Sequence, residues 1–305
     1  MNALAKRTVN HLKRRWFYYL MLALPLAQVA VFYVYVNINS VILAFQDFNI
    51  YTGEFTFAGI KHFKEVIYDA KTYPAIFMAI KNAVVLFGLL WLLGFPLAIF
   101  ISYFLSKDPR GSSFYQVVLY LPSIVSSVTF VLMFKYFCEL GYPMFMDKVF
   151  HKEVEGLLTN YNTTLGTIYF FNIWTGFGAQ VIMFTGSIKS IDPALYDAGK
   201  IDGANWWNEL LHIVIPGIYS TLVVFIVSGL AIIFTNQMNL FSFYSRSAPP
   251  RLHTIGYYLY AQVSTAETMA DFPYLSAMGV LLTIIIAPIT LVAKKLLEKL
   301  GPKEV

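Results

Sequence analysis

The chain has 305 residues, of which 58% are apolar and 13% charged, with a formal net charge of +5 and a mean hydropathy of +0.61. That composition is too apolar for a soluble domain of this size and places the chain in a bilayer. The single cysteine, Cys138, excludes an internal disulfide and any cysteine-based metal site, and reads as a half-buried apolar residue.

A helix that crosses lipid needs roughly 20 apolar residues, because its backbone polar groups find no other partners there. Six stretches free of Asp, Glu, Lys and Arg meet that length: 16–46, 82–106, 111–134, 156–188, 213–245 and 272–293. The spans themselves are expected near 16–42, 83–106, 113–137, 165–188, 212–236 and 273–296. The expected fold class is therefore all-α, a polytopic membrane protein with six transmembrane helices.

At the start, the basic segment 1–15 leads into Trp16-Phe17-Tyr18-Tyr19. The apolar run that follows is too long for a signal peptide and lacks a small-residue cleavage site, so it is read as a retained first span. Lys and Arg near span ends are held on the cytoplasmic side. With the amino terminus inside, the inner segments hold Lys6, Arg7, Lys13, Arg14, Arg15, Lys107, Arg110, Lys189, Lys200, Lys294, Lys295, Lys299 and Lys303, 13 of the 22 basic residues. Both termini are thus expected to be cytoplasmic, with 1–15 a basic cytoplasmic segment, 16–296 the membrane domain, 189–211 an inner loop and 297–305 a cytoplasmic tail.

No expected span has a charged residue near its centre, which disfavours an ion-coupled carrier. The histidines His11, His62, His151, His212 and His253 fall in loops or at span ends without metal-ligand spacing, and no G-x-S-x-G elbow occurs. The Asn162-Thr163-Thr164 triplet is a pattern common by chance. What punctuates the spans instead is proline (Pro25, Pro96, Pro122, Pro288) and uncharged polar residues such as Gln28, Asn172, Gln180, Thr235 and Asn236. Kinked helices with uncharged polar groups suit a pathway for a hydroxyl-rich solute, although the same groups can simply bond across packed helices. Asn172, Trp174, Asn236 and Gln237 are the candidate pathway residues, since amides hydrogen-bond hydroxyls and aromatics stack on sugar rings.

The inner loop is the most informative segment. From Asp192 it runs IDPALYDAGKIDGANWWNELLHIVIP, with Pro193 opening a helix, Leu195, Ala198 and Ile201 recurring along one face, and Gly203 interrupting the pattern. This spells two short helices meeting at a glycine, with Trp206 and Trp207 at the interface level and Pro216 in the first turn of the fifth span. Such a pair serves either as a lipid-surface element or as a docking element.

The pattern resembles the EAA loop of permease subunits of binding-protein-dependent ABC importers. Asp197, Ala198 and Gly199 stand at the E-A-A positions, Gly203 at the glycine, and Ile213, Ile215 and Pro216 at I-x-L-P. Ile201, Asp202, Gly203 and Ala204 match the I-D-G-A of sugar permeases. Asp197 departs from the usual Glu by one methylene, and Gly199 from Ala at a cost in helix propensity of about 1 kcal/mol. Phe45-Gln46-Asp47-Phe48-Asn49, Phe57-Ala58-Gly59-Ile60-Lys61-His62-Phe63, Tyr120-Leu121-Pro122 and Asn172-Ile173-Trp174 are similar to segments of carbohydrate permeases. The stretch from Thr254-Ile255-Gly256-Tyr257-Tyr258-Leu259-Tyr260 to the lysine-rich tail is similar to the branch handling oligosaccharides and polysaccharide fragments.

The resemblance implies a type I ABC importer permease fold and a transport subunit without its own ATPase site. ATP and Mg would be bound by a partner, and the chain itself would need no cofactor or metal. It further implies docking of Asp197, Ala198, Gly199, Asp202, Gly203 and Ala204 to cytoplasmic ATPase subunits, two per importer. A second related permease, an extracytoplasmic solute-binding protein meeting the outer loops 46–82, 138–164 and 237–272, and an oligosaccharide cargo complete the implied system. In line with this, no G-x-x-x-x-G-K-[ST] phosphate loop occurs. Two other readings stay open at this point: a self-contained secondary transporter or channel for a small polar solute, and a membrane scaffold.

Overall fold

The computed structural model describes Trp16 and residues 18–302. The basic residues of 1–15, Phe17 and Lys303 lie outside the described residues. In chain order the elements are α1 (Tyr18–Leu43), the strands β1 (Gln46–Asn49) and β2 (Glu54–Phe57), α2 (Lys61–Thr72), α3 (Pro74–Ser106), α4 (Ser112–Ile124), α5 (Ser127–Phe150) and α6 (Thr164–Lys189). They continue with α7 (Pro193–Ile201), α8 (Trp206–Gly217), α9 (Tyr219–Ala231), α10 (Leu240–Tyr244), α11 (Ile255–Thr265) and α12 (Asp271–Leu300).

Two compact units can be described separately. One holds the described residues up to Tyr68 together with Ala266–Leu281, and the other Asp69–Thr265 with the residues from Leu282 onward. In the first, β1 and β2 pair antiparallel from Gln46↔Phe57 to Asn49↔Glu54, so the fold is not purely α. Asn49 turns the hairpin by accepting the Tyr51 N–H on its side chain at 2.9 Å. Lys61 at the start of α2 pairs with Asp47 at 2.5 Å and holds that carboxyl below the usual carboxylate range.

In the second unit α6 is the central element. Its Phe177, Val181, Phe184 and Ile188 pack with Phe95, Ala98, Ile99 and Tyr103 of α3 and with Leu210 and Val214 of α8. Its Ile168 and Phe171 join Leu86, Val131, Phe134, Cys138, Phe243 and Tyr257 in a second cluster. Cys138 is fully buried there. Ser102 on α3, buried in an apolar interior, has its hydroxyl 2.6 Å from the Ala98 carbonyl of its own helix and 3.0 Å from the Val181 carbonyl across the α3–α6 seam, so the buried group is satisfied.

Three helices, α1, α3 and α12, are long and apolar enough to cross a membrane, and the bent pairs α4–α5 and α8–α9 raise the total to five if each is one span. The structure departs from the simple six-rod expectation in three ways. Helix α3 starts at Pro74, nine residues before the expected span. The expected third span is broken by a 99° bend after Ile124, and the fifth by a 70° bend after Gly217. Pro216 consequently ends α8 rather than opening a span.

The prolines account for much of the irregularity. Wider π-turns occupy Leu90–Gly94, Phe137–Gly141 and Leu210–Val214, each ending two residues before Pro96, Pro143 or Pro216. A proline lacks its N–H and its ring crowds the carbonyl one turn back, and a locally wider turn relieves both defects.

Candidate functional site

The inner loop forms as two helices joined by defined caps. Asp192 opens α7 by accepting the Ala194 N–H at 2.9 Å, with Pro193 in the first turn where its missing donor costs nothing. At the far end the Gly203 N–H donates to the Lys200 carbonyl at 3.1 Å and the Ala204 N–H to the Gly199 carbonyl at 2.8 Å. These two bonds are a Schellman cap, which needs a left-handed residue at its turn, and Gly203 supplies φ +73°. Asn205 then caps α8 by accepting the Asn208 N–H at 2.9 Å. Gly199 lets α7 lie close to α8, since a Cβ there would meet Ile213 Cδ1 at 2.8 Å.

Of the six loop positions singled out by sequence, Asp197, Ala198, Asp202 and Gly203 are exposed, whereas Gly199 and Ala204 are half-buried at the joint. Asp197 pairs with Lys200 at 3.0 Å, both side chains about 70% exposed, so its carboxylate is free to change partner at little cost. Leu195 and Ile201 on the same helix are exposed, Ile201 at 87%. An isoleucine held that open in a well-capped helix leaves an apolar stripe that nothing in the described chain covers.

Behind the stripe the loop is tied to two other helices. Lys107, just past α3, forms an ion pair with Glu209 of α8. The same ammonium lies 5.0 Å from the Tyr103 ring and 4.9 Å from the Tyr196 ring of α7, a cation–π arrangement that holds it between the helices. Next to it Asp108 pairs with Lys189 at the end of α6 at 2.6 Å, and that lysine holds the Asp108 carboxyl below its usual range. Sequence reasoning missed Lys107 and Glu209. Their only signal was charge at the inner ends of apolar runs.

A second feature is a cavity of about 410 Å³ lined by Leu90, Asn172, Thr175, Gly176, Gln180, Asn236, Gln237, Asn239, Phe241 and Ser242. Three of the four pathway candidates, Asn172, Asn236 and Gln237, meet there. Trp174 does not line it, and instead packs in an aromatic group with Phe130 at 5.2 Å and Phe134 and Phe170 at 6.2 Å. The Asn172 amide donates to the carbonyls of Ile168 at 2.8 Å and Met238 at 3.1 Å and accepts from Asn239 at 2.9 Å. It brackets a turn in which Met238 and Asn239 both hold left-handed dihedrals, φ 54° and 55°. Gln180, noted in the sequence only as a polar span residue, reaches the cavity. Among the described residues no group of three or more His, Cys, Asp or Glu side chains could hold a metal ion.

Comparison with known proteins agrees with this architecture. Residues 92–304 match the family described as binding-protein-dependent transport system inner membrane component. The polygalacturonan/rhamnogalacturonan transport system permease protein YteP of Bacillus subtilis (strain 168) is 27% identical over 309 residues, spanning 97% of this chain and 92% of YteP. The arabinooligosaccharides transport system permease protein AraP of the same organism is 24% identical over 91% of this chain and 87% of its own length. Among solved structures, a chain of a bacterial ABC transporter involved in the import of the acidic polysaccharide alginate superposes with a TM-score of 0.79. It is 24% identical and covers 97% of this chain and 100% of its own, a likeness of fold.

Proposed function

This chain belongs to the family of binding-protein-dependent transport system inner membrane components, and we propose that it forms half of the membrane pathway of an ATP-driven importer for a sugar, an oligosaccharide or polysaccharide fragment. It is a membrane-embedded transport subunit rather than an enzyme. Hydrolysis of ATP, with its Mg, falls to two cytoplasmic ATPase subunits. A second related permease completes the pathway, and a solute-binding protein delivers the cargo from outside. The sugar cargo rests on the relatives, whose names specify saccharide transport.

The observation that carries the ATPase coupling is the α7–α8 loop: two capped helices, a glycine joint and an uncovered Leu195–Ile201 stripe. In this reading the stripe sits in a groove of the ATPase with Asp197, Ala198, Asp202 and Gly203 at its edge, and Gly199 and Ala204 set the angle of the joint. The Lys107–Glu209 and Lys189–Asp108 pairs carry the loop's displacement to α3 and α6.

The six spans are α1, α3, the α4–α5 pair, α6, the α8–α9 pair and α12, with both termini inside. Helix α6 is 26 residues long and turns polar groups inward. Asn172 and Thr185 are buried on it, and Ser187 bonds Thr221 at 3.1 Å. Such groups are tolerated in lipid when they face packed helices.

Gentle detergent purification of the tagged chain from its native membrane tests the reading. Recovery of a Walker-type ATPase and a second six-span permease is expected. Recovery of the chain alone, even after crosslinking at residues 197–204, overturns it.

A further inference from the structure

The amides around the cavity fall into two groups. Asn172 and Asn239 bond each other, Asn172 also bonds the backbone, and Asn236 accepts the Met238 N–H on its side chain at 2.8 Å while its backbone carbonyl takes the Thr254 hydroxyl at 2.7 Å. Each of these asparagines is tied to the turn by at least one side-chain hydrogen bond. Gln180 of α6 and Gln237 line the same cavity, and neither side chain has a hydrogen-bond partner among the described residues. A primary amide left free in this way offers two donors and an acceptor to whatever fills the space.

Charge is missing from the lining. Besides the amides it consists of the Thr175 and Ser242 hydroxyls, the glycine at 176 and the apolar Leu90 and Phe241. Lys135, on α5, is committed elsewhere, donating to the Phe243 carbonyl at 3.0 Å with its ammonium 5.6 Å from the Tyr244 ring. An ionised carboxylate entering such a space would lose its water without gaining a cation, whereas hydroxyls exchange water for amides at little loss. The volume of about 410 Å³ falls within the ~300–1,000 Å³ of small-ligand sites.

We propose that Gln180 and Gln237 are the specificity-determining side chains of this cavity and that the unit they read is an uncharged, hydroxyl-bearing sugar ring, not a uronate. The proposal rests on the sugar-pathway reading and narrows it to a ligand class. Phe241 supplies an apolar face against the ring while the two amides take its hydroxyls.

The test uses the assembled complex in nanodiscs and saturation-transfer NMR, with maltotriose and arabinotriose as neutral probes and trigalacturonate as the anionic one. Transfer to at least one neutral probe and none to trigalacturonate is expected. The Gln180→Met, Gln237→Met pair keeps the shape of both side chains and should cut the neutral signal at least fivefold. Gln180→Lys, which adds the missing cation, should bring the trigalacturonate signal up. Trigalacturonate binding as strongly as the neutral probes in the wild type, no neutral signal there, or a neutral signal unmoved by the double variant overturns the proposal. ATP-dependent uptake in proteoliposomes separates the two levels. Saccharide uptake that needs no ATP defeats the importer reading, whereas ATP-linked uptake of uronates alone, insensitive to both glutamines, defeats only this inference.

Discussion

Asn172 and Gln180 lie about two turns apart on one helix, and both line the cavity, yet their tasks differ because their partners do. Asn172 is short enough to stay against the backbone of the Met238–Asn239 turn, whose left-handed residues cost on the order of 1–3 kcal/mol each unless the surroundings fix them. The longer glutamine has no such anchor. A related local balance governs His253, in the segment before α11. Its Nε2 donates to the Ala248 carbonyl at 2.9 Å and its ring packs 4.9 Å from Tyr257. Burial pushes the imidazole below its ordinary value of 6.5, and the Ala248 bond only partly opposes this. The unfolded chain therefore binds a proton more readily than the folded one, so stability is full above about pH 6.5 and is lost as pH falls through the lowered value. Melting of the purified complex between pH 8 and 5.5 should decline only on the acid side. His253→Gln, which keeps a donor for Ala248, should flatten that decline, and an unchanged acid limb would assign it to other groups.

At the scale of elements, the α7–α8 pair depends on one dihedral. A Cβ at Gly203 meets nothing within 4 Å, so a side chain there is opposed by the left-handed backbone and by whatever docks against the exposed joint, not by crowding inside the chain. Gly203→Asp should leave the protein inserted, reduce ATP-linked uptake to background and lower ATPase recovery in the purified complex. Wild-type uptake in that variant would remove the loop from coupling. This element was legible in the sequence because its signals are local: Pro193 opens it and Gly203 turns it within a dozen residues, and the structure adds the caps at Asp192 and Asn205. The break after Ile124 was legible only as the kink expected of Pro122, without its 99° angle, and the break after Gly217 was not legible, since apolar content is continuous across both and hydropathy is blind to direction. The π-turns were half legible: those at Leu90–Gly94, Phe137–Gly141 and Leu210–Val214 lie just before a proline, whereas the one at Val29–Tyr35 within α1 does not. In the cavity, Asn172, Asn236 and Gln237 were found by residue type. Gln180 could be told from the packing amides only once the missing partner was seen, and Trp174 lies among the rings of Phe130, Phe134 and Phe170 rather than at the cavity, a difference that residue type alone does not carry.

For the whole molecule, the two bent pairs decide which side each loop faces. If α4–α5, bent by 99°, is one crossing, then α6 runs inward and the α7–α8 loop meets the cytoplasm, as the lysines near it favour. If the pair instead dips in and returns, every later segment inverts and the docking loop faces outward. Helix α12, 30 residues and so about 45 Å long, crosses either way and carries the parity to the tail. Single-cysteine labelling resolves the alternatives, starting from a Cys138→Ala background because that thiol is fully buried. With one crossing, a cysteine at Lys152 is modified by an impermeant maleimide in intact cells, and one at Lys200 only after the membrane is opened; both positions are exposed in the folded chain. A cysteine at Tyr51, fully exposed in the turn between β1 and β2, fixes the outer side independently of either bend. Labelling at Lys200 in intact cells would place the α7–α8 loop outside, where no ATPase can reach it.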